Sequence, residues 1–132
     1  MKKIITFGVF DYFHLGHLRL FERAKKIGDY LIVAVQDENY ILKYKPNAKI
    51  LYSTEQRIEM IQALRCVDKV VTYTSVDESI KTIDFDVFVI GGDQNHEGFK
   101  RAEKWCVENG KEVIHLERTP SISSSNIKSN NI

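Results

Sequence analysis

A chain of 132 residues with a formal charge of +1 and 43% hydrophobic residues reads as one domain with room for a sizeable core. So small a charge gives no general drive toward nucleic acid or a membrane surface, and affinity for phosphates must come from local clustering of Lys and Arg. No run approaches the ~20 apolar residues of a spanning helix, and the apolar stretch after Lys2-Lys3 is too short for a signal peptide.

Lys3–Phe7 opens the chain as a buried strand. A helix follows over about Leu15–Ile27, where Leu18, Leu20, Phe21 and Ala24 form an apolar stripe against Arg19, Glu22, Arg23 and Lys25. Tyr30–Val35 is the second strand. Asn39–Leu51 reads as one long connection with a Pro46-Asn47 turn, and a loop of that length in a compact domain is usually functional. Ser53-x-x-Gln56 is a capping box opening a helix over about Ser53–Arg65, with Ile58, Ile61 and Leu64 at helical spacing. Strands at Lys69–Thr72, Val87–Ile90 and Glu112–His115 then alternate with helices at about Val76–Ile83 and Gly98–Asn109. A last helix starts at Ser123, and residues 129–132 read as a frayed tail. Cys66 and Cys106 fall in or at the end of helical segments without a Cys-x-x-Cys pair, as in a reduced, cytoplasmic protein.

Strands alternating with helices imply an α/β, Rossmann-like, doubly wound sheet of about five mostly parallel strands, with helices on both faces. Ligands of such sheets bind beyond the carboxyl ends of the strands, where the strand order reverses. That rule selects Phe10–His17, Asp37 and its loop, Gly91–Asp93 and Arg118–Ser125.

The segment His14-Leu15-Gly16-His17 stands out among these. It places two of the chain's four histidines around a glycine where a strand becomes a helix. Gly8 lets a ligand approach the backbone, and a helix starting near Leu15 aims its free N–H groups and positive dipole end at the same spot. Residues three apart share a helix face, so both imidazoles can converge on one anion. A zinc site is the rival reading, but its completing cysteines or carboxylates are not obvious. Plain residues of a helix start are the other.

Other candidates are weaker alone. Asp37 and Glu38 close the second strand and can accept from a sugar hydroxyl, or simply end a strand in solvent. Lys43-Tyr44-Lys45, if extended, points both ammonium groups the same way toward a polyphosphate, or is a solvated loop with ordinary lysines. Arg57 and Arg65 read as surface arginines of the helix from Ser53. Gly91-Gly92-Asp93 permits a tight turn, with Asp93 free to accept from a base amino group or a sugar hydroxyl. His96 reads as an exposed loop residue. Arg118 and the hydroxyls of Ser123, Ser124 and Ser125 read as an anion site at a helix start, or as a helix cap with loop serines. Asp11 orients a neighbouring Arg or His, or caps the turn, and Asp29 ends the first helix.

With these residues in place, the chain resembles the His-x-Gly-His nucleotidyltransferases of the cytidylyltransferase-like group, in particular the small bacterial enzymes that act on glycerol 3-phosphate. Glu22-Arg23-Ala24-Lys25, Gly28-Asp29-Tyr30-Leu31, Arg118-Thr119 and Ile122-Ser123-Ser124-Ser125 extend the match over nearly the whole chain. The resemblance implies transfer of CMP from CTP to a small phosphate monoester, with Mg²⁺ accompanying the nucleotide and a homodimer as the working form. It implies catalytic roles for His14, His17, Lys43, Lys45 and Arg118, since the glycerol-phosphate enzymes carry two lysines at the spacing of Lys43 and Lys45. It implies nucleotide contacts from Phe7, Gly8, Val9, Phe10, Gly16, Gly91, Asp93, Arg118, Ile122, Ser123 and Ser124, with Asp11, Asp37, Arg57 and Arg65 nearby. Gly92, Gln94-Asn95-His96 and Ser121 depart from the family's pattern. An adenylyltransferase on a sugar phosphate or vitamin-like phosphate, and a nucleotide-binding module without catalysis, are the alternative readings. A dinucleotide oxidoreductase is disfavoured, because no Gly-x-Gly-x-x-Gly follows the first strand.

Overall fold

The computed structural model describes residues 1–92 and 94–117. Their elements run β1 (Lys3–Gly8), α1 (Leu15–Ile27), β2 (Tyr30–Gln36), α2 (Glu38–Tyr44), α3 (Thr54–Gln62), β3 (Lys69–Tyr73), α4 (Val76–Ser79), β4 (Val87–Gly91), α5 (Glu97–Glu108) and β5 (Glu112–Leu116), with a 3-10 turn at Ile80–Thr82 after α4. Arg118, Ile122, Ser123, Ser124, the helix expected from Ser123 and Asp93 lie outside the described residues.

All five strands are parallel, in the order β3-β2-β1-β4-β5. The chain winds outward from β1 to β3, then returns to lay β4 on the other side of β1, so the reversal of order falls between β1 and β4. Alternation along the strands feeds two cores. Ile4, Leu31, Val33, Val35, Val87 and Val89 face α1 and α3, packing on Phe21, Ala24 and Ile61. Ile5, Phe7, Ile32, Ala34, Phe88 and Ile90 face α4 and α5, packing on Val76, Phe99, Ala102 and Cys106. A sheet covered on both faces explains why its strands read as continuous apolar runs.

Besides one-residue shifts at the strand ends and the change from α-helix to a 3-10 turn at Ile80–Thr82, two expected elements differ. The connection Asn39–Leu51 is not irregular throughout: Asp37 caps a helix at Glu38–Tyr44, its carboxylate accepting from the Tyr40 N–H at 3.1 Å. The second long helix spans Thr54–Gln62 rather than running to Arg65, although the capping box Ser53–Gln56 forms as expected, with both reciprocal bonds at 3.0 and 3.1 Å.

Arg57, expected at the surface, is 0% exposed. Its Nη1 donates to the carbonyls of Val9 (2.9 Å) and Gln36 (2.8 Å), its Nε to that of Tyr52 (3.1 Å) and its Nη2 to Thr54 Oγ1 (3.3 Å). One guanidinium thus ties the exits of β1 and β2 to the segment entering α3. Burial lowers its pKa, and the charges of Asp11, Glu38 and Asp37 oppose that shift, so it remains a cation. Arg57→Met strands three carbonyls and is expected to cost about 3–5 kcal/mol. Urea unfolding would show this as a lower midpoint, and a midpoint equal to that of the unsubstituted protein would remove Arg57 from this role. Arg57→Lys should recover only part, because one ammonium lacks the planar fork that serves several carbonyls.

Candidate functional site

The exit of β1 is shaped by a backbone turn. Phe10 has φ 55°, a left-handed conformation that L side chains rarely adopt, and it folds its ring back over Gly8. A Cβ on Gly8 would meet that ring at 2.5 Å. The glycine therefore makes room for the Phe10 ring, and it also lines the neighbouring cavity. The buried ring in turn meets His17 edge-on, with centroids 5.4 Å apart, and Phe21 at 5.0 Å.

On this seat the two histidines of the motif come together as expected. His14 caps α1, its Nδ1 accepting from the Gly16 N–H at 2.9 Å, while the His14 N–H donates to His17 Nδ1 at 3.3 Å. The rings stack with centroids 4.0 Å apart. Because both Nδ1 atoms accept from backbone N–H groups, each neutral ring carries its proton on Nε2. The first turn of α1 thus offers two imidazole donors and the positive end of the helix in one place.

A cavity of about 480 Å³ opens beside this turn, lined by Gly8, Val9, Phe10, Asp11, Tyr12, His17, Leu20, Ile41, Lys45, Ala48, Lys49, Ile50 and Gln94. It lies at the β1–β4 reversal that the sheet rule selects. Asp11 is buried and accepts from the N–H groups of Leu51 (2.6 Å) and Tyr52 (2.8 Å), so it pins the return of the α2–α3 segment across the β1 exit. The sequence reads Asp11 as orienting a neighbouring Arg or His, or capping the turn; the hydrogen bonds of its carboxylate run instead to the backbone of a segment 40 positions on.

Pairing between β1 and β4 ends at Thr6 and Val89, although β1 continues to Gly8 and β4 to Gly91. Gln94 fills the fork. Its Nε2 donates to the Phe7 carbonyl at 2.5 Å, and its Oε1 accepts from the Gly91 N–H at 2.9 Å. One carboxamide thus stands in for the ladder bonds that the diverging strands give up. No sequence signal singles out Gln94 beyond its place in the segment that departs from the family's pattern.

The remaining candidates separate. Val9 lines the cavity, whereas the Phe7 side chain packs in the core against Tyr73 and Phe88, with centroids 4.9 and 5.6 Å away. Gly16 gives its N–H to His14, and Gly91 gives its own to Gln94. Asp37 is a helix cap beside the Arg57 cluster. Arg65 is exposed in the turn after α3, outside the cavity lining.

The two loop lysines do not share a direction. Lys43 lies in the last turn of α2, and its ammonium sits 5.6 Å from the centroid of the Tyr44 ring. Lys45, just past the helix end, reaches the cavity together with Lys49, which the sequence reading missed. His96, expected in a loop, caps α5 with its Nδ1 accepting from Gly98 N–H at 3.1 Å. Burial lowers its pKa, and the charge of Lys45 lowers it further. Removing the Gln94 amide should widen the fork. Gln94→Ala is therefore expected to lose about 1–3 kcal/mol by leaving Phe7 C=O and Gly91 N–H without partners, read by chemical denaturation, and unchanged stability would mean water replaces the amide freely.

Comparison with known proteins agrees with this geometry. The chain matches a cytidylyltransferase-like family model over residues 5–130. It is 40% identical over 132 residues to the glycerol-3-phosphate cytidylyltransferase of Staphylococcus aureus (strain NCTC 8325 / PS 47), covering 97% of this chain and 93% of that protein. It is 38% identical over 131 residues to the glycerol-3-phosphate cytidylyltransferase of Bacillus spizizenii (strain ATCC 23059 / NRRL B-14472 / W23), covering 97% of this chain and 95% of that one. The crystal structure of the lipopolysaccharide core biosynthesis protein from Thermoplasma volcanium GSS1 superposes with a TM-score of 0.71 at 25% identity, over 90% of this chain and 97% of that chain. With the histidine turn at the reversal of a five-stranded parallel sheet and these matches across nearly its full length, the chain belongs to the cytidylyltransferase-like family.

Proposed function

We propose that the protein transfers CMP from CTP to a small phosphate monoester, glycerol 3-phosphate first among them, releasing pyrophosphate and a CDP-alcohol. The observation that carries this reading is the locked histidine pair of α1, set beside the cavity at the β1–β4 fork. The relatives' names supply the substrates.

An oxygen of the acceptor phosphate attacks the α-phosphorus of CTP in line, and the bond from that phosphorus to the oxygen bridging the β-phosphate breaks as pyrophosphate leaves. The attacking group is already an anion at neutral pH, so no general base is needed. Catalysis then lies in positioning and in stabilising charge on the phosphoryl oxygens. His14 and His17 donate their Nε2 protons to α- and β-phosphate oxygens, in a geometry fixed by the backbone before the nucleotide arrives. Lys45 supplies positive charge across the cavity, and Arg118, Ser123 and Ser124 are proposed to complete the anion site.

The donor set of the described cavity lining does not build a metal cage, because Asp11 spends both oxygens on Leu51 and Tyr52. Mg²⁺ is proposed only as the ion that comes bound to the triphosphate, keeping most of its waters, and no step above runs through it. Among the described residues no helix is long and apolar enough to cross a membrane. A cytoplasmic homodimer, acting on neither nucleic acid nor membrane, is the proposed working form.

The test is pyrophosphate release with Mg²⁺, crossing CTP and ATP against a panel of phosphate monoesters. Turnover with CTP and glycerol 3-phosphate is expected; turnover with ATP alone would move the protein to the adenylyl branch, and binding of CTP without turnover would favour the non-catalytic module. His17→Ala is expected to keep its circular dichroism spectrum and lose about 100-fold or more in kcat. A folded, fully active variant would sink the mechanism.

A further inference from the structure

We propose that Lys49, rather than Lys43, joins Lys45 in holding the phosphate of the acceptor; the inference deepens the transferase reading and rests on it. Successive residues of a helix turn by about 100°. Ile41 in α2 and Lys45, which ends the helix by giving its N–H to the Ile41 carbonyl at 2.8 Å, both line the cavity. Lys43, two residues from each, is directed away, over the ring of Tyr44 and into solvent.

The chain after α2 supplies the second ammonium instead. The Ala48 N–H donates to the Lys45 carbonyl at 2.9 Å, closing a turn with Pro46 and Asn47 at its centre, where proline presets φ and asparagine tolerates the bend. The chain doubles back through this turn, and Lys49 emerges beside Lys45 on the same cavity. Two residues later Asp11 seizes the amides of Leu51 and Tyr52, so the segment bearing Lys49 is fixed at both ends.

Charge points the same way. Neither Lys45 nor Lys49 forms an ion pair with a carboxylate among the described residues. The one acidic residue in the described lining, Asp11, is occupied by backbone N–H groups. The reaction must bring a phosphate monoester against a triphosphate, two anions that repel. The histidine turn serves the triphosphate, and Lys45 with Lys49 provides a separate pair of cations matched to a dianion.

The experiment compares Lys49→Gln, Lys49→Arg and Lys43→Gln in two assays, calorimetric binding of glycerol 3-phosphate and steady-state pyrophosphate release with each substrate varied in turn. Lys49→Gln is expected to weaken glycerol 3-phosphate binding and raise its KM about 10-fold or more, with the KM for CTP changed less than about 2-fold. Lys49→Arg should restore most of the acceptor affinity, and Lys43→Gln should leave both constants near those of the unsubstituted protein. The proposal is overturned by a normal acceptor KM in Lys49→Gln, by a larger effect of Lys43→Gln, or by a loss confined to CTP. Calorimetry separates it from the activity reading: acceptor binding that depends on Lys49 in a protein without turnover would sustain the site and reject the reaction. Absence of acceptor binding to the unsubstituted protein would reject the site.

Discussion

The guanidinium of Arg57 sits where three carbonyl groups from distant parts of the sequence converge, at Val9, Gln36 and Tyr52. A parallel sheet leaves its strand ends as loose chain, and here the end of β1 is a wall of the site while the end of β2 leads into α2, whose Ile41 lines it. Buried backbone carbonyls need partners, and one planar cation with several donors satisfies them together while fixing their separation. The cost of burying the charge is offset by those acceptors and by the nearby carboxylates of Asp11, Glu38 and Asp37. The position of the cavity relative to the sheet follows from that cluster.

Two further polar groups extend the same logic toward the reacting centre. Asp11 holds backbone amides of the segment entering α3, and Gln94 holds one group from each strand of the fork. Both residues line the cavity and hold the backbone around it in place. The histidine turn adds donors with a defined tautomer, and the lysines after α2 add charge that the near-neutral chain as a whole lacks. The site is a local concentration of donors on an otherwise balanced molecule.

Strand positions were legible because each strand is buried on both faces and reads as an apolar run. Each was expected one residue short at its carboxyl end, at Gly8, Gln36, Tyr73, Gly91 and Leu116. These residues close the apolar runs but still pair across the sheet, as Gly8 does with Val35 and Gly91 with Leu116. Helix α2 was missed because it has no buried residue and hence no apolar stripe, while Asp37, its one starting signal, also suited a ligand contact. The burial of Arg57 depends on carbonyls as many as 48 positions away, which no local pattern reveals. Lys49 had a readable cue in the Pro46-Asn47 turn, which folds Lys45 and Lys49 onto one side. The histidine pair was legible because its geometry is local, set within a single helical turn.

The contact between Gly8 and Phe10 reaches beyond this one molecule. The ring occupies the volume that any larger residue at position 8 would need, and it also supports His17 from below. The two positions are therefore not free to drift independently. A side chain at position 8 becomes tolerable only after the ring at position 10 has gone, and losing that ring first removes the surface that His17 meets edge-on. Either order of single steps passes through a damaged intermediate, so the pair forms an epistatic lock on the sequence, and substitutions at the two sites should be non-additive.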